Sequence, residues 1–283
     1  EGEGDYAGMH SDKVMITNDI VYYEDRDTYD SGNPYGEGTE DERHTAEEAA
    51  AHTVVNITAP GAYTLSGKLS AGQIRVDLGE EAFEDPTAVV TLVLDGADIT
   101  CTVAPAVLFY RVYECGDKDE ANADAIVDTT AAGANVILAD DSINTVNGAY
   151  VARIYEEGTT EKLHKYDGAF YSKMSMNIAG GEKGTGVLHI NATNEGLCSE
   201  MHLTVNSGNI TITAQNDGIN TNADNISVTT IHSGSLTINA GLGEEGDGID
   251  SNGFLAVTGG TVVAMANPRS DSGMDSDFGS FVL

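Results

Sequence analysis

Residues 247–252 read DGIDSN, and this six-residue pattern returns as DGINTN at 217–222 and SGMDSD at 272–277. Two looser copies precede them, at 167–173 and 195–200. The second residue of every copy is glycine, and successive glycines are separated by 28, 22, 30 and 25 residues. A unit of this length cannot bury its apolar face alone, so the repetition predicts stacked copies that share one core.

Short runs of β-branched and aliphatic residues separate the copies, such as Asn209–Thr213 and Leu255–Thr258. Their two-residue alternation, bounded by glycine and asparagine, is typical of strands. Three strands of about five residues with short connections fill a repeat of this length. The sequence has neither the frame of a leucine-rich repeat nor the glycine-rich nonapeptides of a β-roll. It therefore predicts an all-β solenoid, a parallel β-helix of three-strand turns.

The segment before the repeats differs in composition. The first 50 residues hold 15 carboxylates and 3 bases. Thr45 and Glu48 form a capping-box pattern, which predicts a short helix that ends near Ala51 and covers the first turn of the solenoid. We divide the chain into an acidic N-terminal segment and cap (1–52) and the β-helix (53–283). Because the strand pattern of residues 255–260 calls for a continuation, we expect the chain to be truncated within its last turn.

Composition excludes several functions. Forty-six acidic and 13 basic residues give a net charge of −33, which disfavours nucleic acid and anionic membrane surfaces as partners. No apolar run is long enough to span a bilayer, and no basic-then-apolar leader opens the chain, which begins at the acidic Glu1 as a mature or trimmed chain would. Cys101, Cys115 and Cys198 fit no metal-binding spacing. They are expected to be buried thiols, with a Cys101–Cys115 disulfide as the alternative.

The repeated turn predicts a metal site. If Ile249 points into the solenoid, Asp250 points outward, and stacked copies bring such residues about 4.8 Å apart in a ladder. Carboxylates this close repel one another, and residues 184–283 contain 11 carboxylates and one base. Ca²⁺ takes six to eight oxygen ligands and relieves that repulsion. The alternative is that the aspartates only bond to local backbone amides in ordinary turns. The predicted ligands are Asp217, Asn220, Asp247, Asp250, Asp271 and Asp275, with Asn216, Asn252, Asp277 and Glu195 as further partners.

Several stretches resemble one known family. The segments "APGAYTLSGKLSAGQIRVDL", "VTLVLDGADITC", "DGAFYSKMSMNI" and "GDGIDSNGFLAVTGGTVVA" are similar to secreted bacterial carbohydrate-binding β-helix proteins, a family that resembles the family-9 polysaccharide lyases. The resemblance runs from Val54 to the C-terminus and departs from the family at Tyr110–Thr130. It implies a right-handed, pectate-lyase-like β-helix on or outside the cell that binds Ca²⁺ and plant-type or other extracellular polysaccharide.

Three functions remain open. A calcium-dependent polysaccharide-binding protein needs aromatic and polar contacts for sugar, and the candidates are Tyr166, Phe170, Tyr171 and Lys173. A polysaccharide lyase acting on uronates also needs a base, usually lysine or arginine, and few are present near the ladder. A structural or adhesive protein would use Ca²⁺ only for stability. We favour the binding protein over an enzyme.

Overall fold

The computed structural model describes residues 12–23, 43–151, 166–269 and 271–282, and almost all regular structure in them is strand. In these ranges, one α-helix, α1 (Ala46–Ala50), and two 3₁₀ helices (Glu80–Phe83 and Glu120–Asn122) accompany the strands. No helix in the described part of the chain is long and apolar enough to cross a membrane. The predominance of strands confirms the prediction of an all-β class.

The described strands are β1 Val14–Thr17, β2 Thr53–Ile57, β3 Gly61–Leu69, β4 Gly72–Asp77, β5 Val90–Thr100, β6 Val107–Arg111, β7 Ala134–Leu138, β8 Ile143–Gly148, β9 Gly168–Ser172, β10 Met176–Ala179, β11 Val187–Ala192, β12 Glu195–Ser199, β13 Leu203–Val205, β14 Asn209–Ala214, β15 Ile219–Thr221, β16 Val228–Ile231, β17 Ser235–Asn239, β18 Ile249–Ser251, β19 Phe254–Val257, β20 Thr261–Met265 and β21 Gly279–Val282.

The strands form two large sheets. The first sheet has eight strands in the order β1-β2-β4-β6-β9-β12-β15-β18, and the second has thirteen in the order β20-β17-β14-β11-β8-β5-β7-β10-β13-β16-β19-β21 with β3 beside β5. Among these described strands, every pair is parallel except β1–β2. The second sheet is continuous because the eleven-residue β5 pairs with β7 through its first half and with β8 through its second.

The first sheet and the two halves of the second sheet form three surfaces, and the chain passes through them in a repeating order. It passes from β12 in the first sheet to β13 and then β14 in the two halves of the second sheet, and returns as β15 beside β12. The inward residues of all three surfaces meet in one apolar core. Its largest fully buried side chains include Phe109, Phe170, Leu92, Leu138 and Met176. Burial of aliphatic and aromatic side chains is therefore shared between successive repeats, as the repeat lengths predict.

The repeated glycines stack directly on one another. The Gly218 amide donates to the Asp247 carbonyl over 3.0 Å, and the Gly248 amide donates to the Ser272 carbonyl over 3.0 Å. The residues that follow obey the predicted alternation, because Ile249 and Ser251 are fully buried whereas Asp250 between them is partly exposed. The glycines are required by space, since these turns press against the neighbouring repeat.

Gly218→Ala is expected to destabilise the fold strongly. A Cβ at residue 218 would lie 2.2 Å from the Ile238 Cγ2 atom and 2.6 Å from the Gly248 carbonyl oxygen. Overpacking of this kind costs about 1–3 kcal/mol, which urea denaturation with circular dichroism would measure. Gly67→Asn is the control, because nothing lies within 4 Å of a Cβ there and asparagine tolerates its positive φ of 84°. Equal stability of the two variants would contradict the stacking.

The predicted capping box and short helix form before the first long strand run. Thr45 accepts a hydrogen bond from the Glu48 amide, and Glu48 accepts one from the Thr45 amide, which completes the capping box at the start of α1. Just after the helix, the His52 Nε2 atom accepts a hydrogen bond from the Thr102 amide over 3.2 Å. Residues 14–17 add the antiparallel strand β1 to the edge of the first sheet. This part of the segment before residue 53 is thus joined to the sheets.

The segment between β6 and β7 is anchored by a buried carboxylate. Glu114 accepts hydrogen bonds from the Ser175 amide and hydroxyl, both over 2.7 Å, and from the Gly116 amide over 2.6 Å. Three donors satisfy the buried carboxyl oxygens. Cys115 beside it is a free thiol, as are Cys101 and Cys198, so the Cys101–Cys115 disulfide is not formed.

Candidate functional site

The predicted ladder lies on the outward face of the first sheet. Asn220 pairs in register with Cys198 on one side and with Asp250 on the other. Asp217 and Asp247, which begin their turns, lie beside this row. A hydrogen bond joins their two repeats, since the Asp247 amide donates to the Asp217 Oδ1 atom over 2.6 Å. The sequence repeat therefore places carboxylates and amides from β12, β15 and β18 on one surface.

Three carboxylates form the closest group. In the described ranges, one group of acidic, histidine or cysteine side chains has ligand atoms that all lie within 4.8 Å of one another, and it consists of Asp247, Asp250 and Asp275. The predicted ligand Asp271 lies next to it and accepts a hydrogen bond from the Gly246 amide over 3.0 Å. All of these donor atoms are oxygens, which suits a hard cation such as Ca²⁺.

Asn220 and Glu195 extend the site toward the preceding repeat. The Asn220 Nδ2 group donates to the Glu195 Oε1 atom over 3.2 Å, and the Cys198 thiol donates to Glu195 Oε2 over 2.9 Å. The Asn220 side chain is 6% exposed, and its Oδ1 atom is buried with no hydrogen-bond partner. A buried amide oxygen without a donor costs free energy, and a bound cation would remove that cost.

Three carboxyl groups of this site resist ionisation. Burial and, to a lesser extent, the negative charge of Glu195 together raise the pKa of Asp217 to about 8. Burial and repulsion from Asp247 raise the pKa of Asp250 to about 7. The pKa of Asp247 is also raised, chiefly by burial. Each ionised carboxylate therefore disfavours ionisation of the neighbouring carboxyl groups. A bound divalent cation would favour their ionised forms instead.

The remaining predicted ligands are distributed around this group. Asp277 is exposed and close enough to Asp250 to raise its pKa. Asn252 instead donates to the Asp224 Oδ1 atom over 3.1 Å, in the next outward row of the sheet. Asn216 contributes its backbone carbonyl, which accepts from the Gly241 amide over 2.9 Å. The structure thus brings together Asp217, Asn220, Asp247, Asp250 and Asp275, with Glu195 beside Asn220, and gives Asn252 and Asn216 other contacts.

An aromatic cluster lies further along the same sheet. The rings of Tyr166 and Tyr171 have centroids 5.5 Å apart, and the Lys173 Nζ atom lies 4.9 Å from the centre of the Tyr110 ring. Tyr166 and Tyr171 are 7% and 1% exposed. Phe170 and Tyr171 are both buried, so their candidacy as sugar contacts is corrected: the Phe170 ring faces the interior, and the outward Tyr171 ring is covered by Tyr166 and Glu200.

Two polar neighbours of the aromatic cluster were missed by the sequence analysis. Glu200 accepts hydrogen bonds from the Tyr171 hydroxyl and from Asn222 Nδ2, the latter over 3.0 Å. Tyr110 packs edge-on against Tyr166 and beneath the Arg111 guanidinium. Glu200 was detectable, because it holds the sixth position of its repeat, where the three later copies have asparagine or aspartate. Tyr110 lies outside the repeats, and only the pairing of β6 with β9 brings it to this surface.

Comparison with known sequences identifies the class. The family described as carbohydrate-binding domain-containing proteins matches residues 51–116 and 117–277, and the chain belongs to this family. A protein of that description from Acetivibrio thermocellus (strain ATCC 27405) is 32% identical over 161 residues, which are 56% of this chain and 45% of the relative. The chain thus matches less than half the length of that relative.

A solved structure shares the fold. It is described as the structure of the polysaccharide lyase-like protein from C. thermocellum, gadolinium derivative. It superposes with a TM-score of 0.52 at 25% identity and covers 81% of this chain and 86% of its own. The fold found here is therefore similar to a polysaccharide lyase-like fold.

Proposed function

We propose that this chain is a right-handed parallel β-helix that binds extracellular polysaccharide through Ca²⁺ held between its stacked D-G-x-D/N turns. The observation that carries the proposal is the buried Asn220 Oδ1 atom, which has no hydrogen-bond partner and lies in a site of mutually repelling carboxylates. Membership of a carbohydrate-binding family supports the sugar ligand.

The order of the strands supports the β-helix. Each circuit through β12, β13 and β14 brings the chain back one strand further along the first sheet, at β15. Successive circuits add parallel strands in the same way at β18, and the glycine turns of these circuits stack. Parallel strands joined by crossovers are almost always right-handed, which favours that hand here.

The calcium ligands follow from the donor set. Asp247, Asp250 and Asp275 offer carboxylate oxygens within 4.8 Å of one another, and Asn220 offers its amide oxygen. Asp217 lies at the neighbouring turn, where its Oδ1 atom accepts a hydrogen bond from the Asp247 amide. When bound, Ca²⁺ supplies positive charge and open coordination positions for carboxylate or hydroxyl oxygens of a sugar. These side chains hold the ion, and their spacing along the stack fixes its place on the first sheet.

The aromatic cluster supports a sugar path along the same surface. Lys173 is partly exposed, with its Nζ atom 4.9 Å from the centre of the Tyr110 ring, and the Arg111 Cζ atom lies 5.0 Å from the same centre. A uronate chain carries carboxylates that the Lys173 ammonium attracts, since the Arg111 guanidinium already donates to Asp77, and its sugar faces pack against the exposed part of Tyr110. A chain of net charge −33 otherwise repels polyuronates, so binding of an acidic polysaccharide requires the cation.

The proposed place of action is the cell surface or the secreted fraction. Calcium is abundant there, so a site with four or five ligands from the protein is occupied by mass action. A strongly acidic surface also keeps a secreted protein soluble. The lyase alternative becomes an outcome of the binding experiment, because β-elimination would give unsaturated, ultraviolet-absorbing products from a uronate ligand.

Hexagalacturonate is expected to bind in Ca²⁺ and to lose at least ten-fold in affinity when the protein is transferred to EGTA. Isothermal titration calorimetry measures both, and Asp250→Asn is expected to bind like the chelated protein because it removes one ligand charge. Asp95→Asn is the matched control, since Asp95 is an exposed carboxylate of β5 in the second sheet. Equal affinity in the two buffers would overturn calcium dependence, and absence of binding in both would favour a structural role.

A further inference from the structure

A second concave surface lies on the other sheet. A cleft of about 470 Å³ opens between residues 126–130 and the outward face of the second sheet at β7, β10 and β13. The predicted calcium ligands are all in or beside the first sheet. None of them lines this cleft. The cleft is therefore a separate feature of the molecule, built by the segment at which the chain departs from the repeat pattern.

The wall of the cleft is fixed to the sheet by side-chain hydrogen bonds. The Thr129 hydroxyl donates to Asn177 Oδ1 over 2.7 Å, and the Asn177 Nδ2 group donates back to the Thr129 carbonyl over 2.6 Å. The Thr204 hydroxyl lies 2.7 Å from the same Thr129 hydroxyl. All three residues are buried, so the wall is held by a satisfied polar network.

The floor of the cleft is a row of outward side chains, one from each strand. Ile137 and Ala179 pair in register between β7 and β10. Asn206 and His232 each follow the last residue of their strand, β13 and β16, and continue this row, since the preceding residues Val205 and Ile231 are partners. Asn206 and His232 are exposed. The row thus passes from an aliphatic part to a polar part along the stack.

The lining holds a single carboxyl group, which is little charge for a molecule this acidic. It contains no lysine or arginine, and its acidic member, Asp128, accepts a hydrogen bond from the Thr130 amide over 2.9 Å. Ile126 is 78% exposed at the rim. Aliphatic side chains facing amide, hydroxyl and imidazole groups suit a ligand with apolar C–H faces and many hydroxyls. An anionic chain would find no cation here.

We propose that this cleft binds a linear, uncharged polysaccharide whose chain runs along the stack of repeats, independently of calcium. Parallel strands are about 4.8 Å apart, close to the length of one pyranose in an extended glycan. Consecutive sugars then meet equivalent positions, such as Ala179 and Asn206. The proposal goes beyond the calcium site and rests only on the carbohydrate-binding part of the proposed function.

The test measures binding of neutral hexasaccharides in EGTA. Cellohexaose, mannohexaose and xylohexaose are titrated into the whole chain by calorimetry, and at least one is expected to bind. Ala179→Trp fills the floor with a large ring and is expected to weaken that binding at least ten-fold. Val263→Trp is the matched control, because Val263 is an exposed strand residue of β20, outside the cleft. Asn206→Ala removes a polar contact from an exposed side chain and is expected to weaken binding several-fold.

The outcomes separate this proposal from the calcium site. Failure of all three neutral hexasaccharides to bind the wild-type chain would overturn it, and so would equal binding by Ala179→Trp and Val263→Trp. Loss of neutral-sugar binding in Asp250→Asn would move the ligand to the first sheet and overturn it as well. Failure of the calcium site appears in a different measurement, as equal hexagalacturonate affinity with and without chelator. If Ala179→Trp loses its native circular dichroism, Asn206→Ala with normal thermal unfolding decides the result.

Discussion

Asp250→Asn is expected to unfold at a lower temperature than the wild type in millimolar Ca²⁺, but at the same or a higher temperature without metal. The first effect follows because the variant loses a charged ligand, and the second because an uncharged amide ends the repulsion with Asp247. A ligand at 1,000 times its Kd stabilises a fold by about 4 kcal/mol. In a chain of this size that corresponds to roughly 10 °C in Tm, measured by scanning calorimetry.

The decisive feature of this result is that the variant has the lower Tm in Ca²⁺ but not in metal-free buffer. A substitution that merely damages the fold lowers Tm in both buffers. Asp95→Asn serves as the control, because Asp95 is an exposed carboxylate away from the site and should respond to Ca²⁺ like the wild type. A calcium-induced rise in Tm that is the same for wild type and Asp250→Asn would show that the ion binds elsewhere.

The metal-free protein is expected to lose stability as pH rises from about 5 to 8.5. Burial raises the pKa of Asp217 to about 8 and that of Asp250 to about 7, above their values in the unfolded chain. A group whose pKa is raised by folding binds its proton more tightly in the folded state, so its stabilising contribution is lost as pH passes the folded pKa. We expect a loss on the order of a few kcal/mol over this range.

Calcium is expected to reverse this dependence, since the ion binds the ionised carboxylates. The difference in Tm between calcium-loaded and dialysed protein should therefore be small near pH 5 and large near pH 8.5. Asp217→Asn should flatten the metal-free profile, because an amide has no proton to lose. Thermal unfolding at several pH values measures both effects. A metal-free stability that increases over the same pH range would contradict the burial of these carboxyl groups.

The repeats made much of the fold predictable from the sequence. The spacing of Gly196, Gly218, Gly248 and Gly273 anticipates the stacked turns, because a turn that admits no Cβ needs glycine in every copy. The alternation that buries Ile249 and turns Asp250 outward follows from strand geometry alone. The capping box at α1 was also predictable, since it depends on two residues three positions apart.

Contacts between distant parts of the chain were harder to predict from the sequence. Nothing near Glu114 in the sequence indicates that it is buried against Ser175, 61 residues away. The cleft depends on such contacts, because Thr129 reaches Asn177 across 48 residues. Tyr171 illustrates a different limit. Alternation predicts that it points outward, but only the packing of Tyr166 and Glu200 over it makes it buried. Outward orientation and solvent exposure are separate properties.

The stacking of the glycine turns also has a kinetic consequence. Each contact between Gly218 and Asp247, or between Gly248 and Ser272, joins residues only about one repeat apart, so new repeats add to a formed neighbour at a low entropic cost of loop closure. The acidic turns repel one another, and we therefore expect them to join the structure after the apolar repeats have formed. Interactions made after the transition state act on the unfolding rate. Calcium would then lengthen the lifetime of the folded chain and leave its folding rate nearly unchanged.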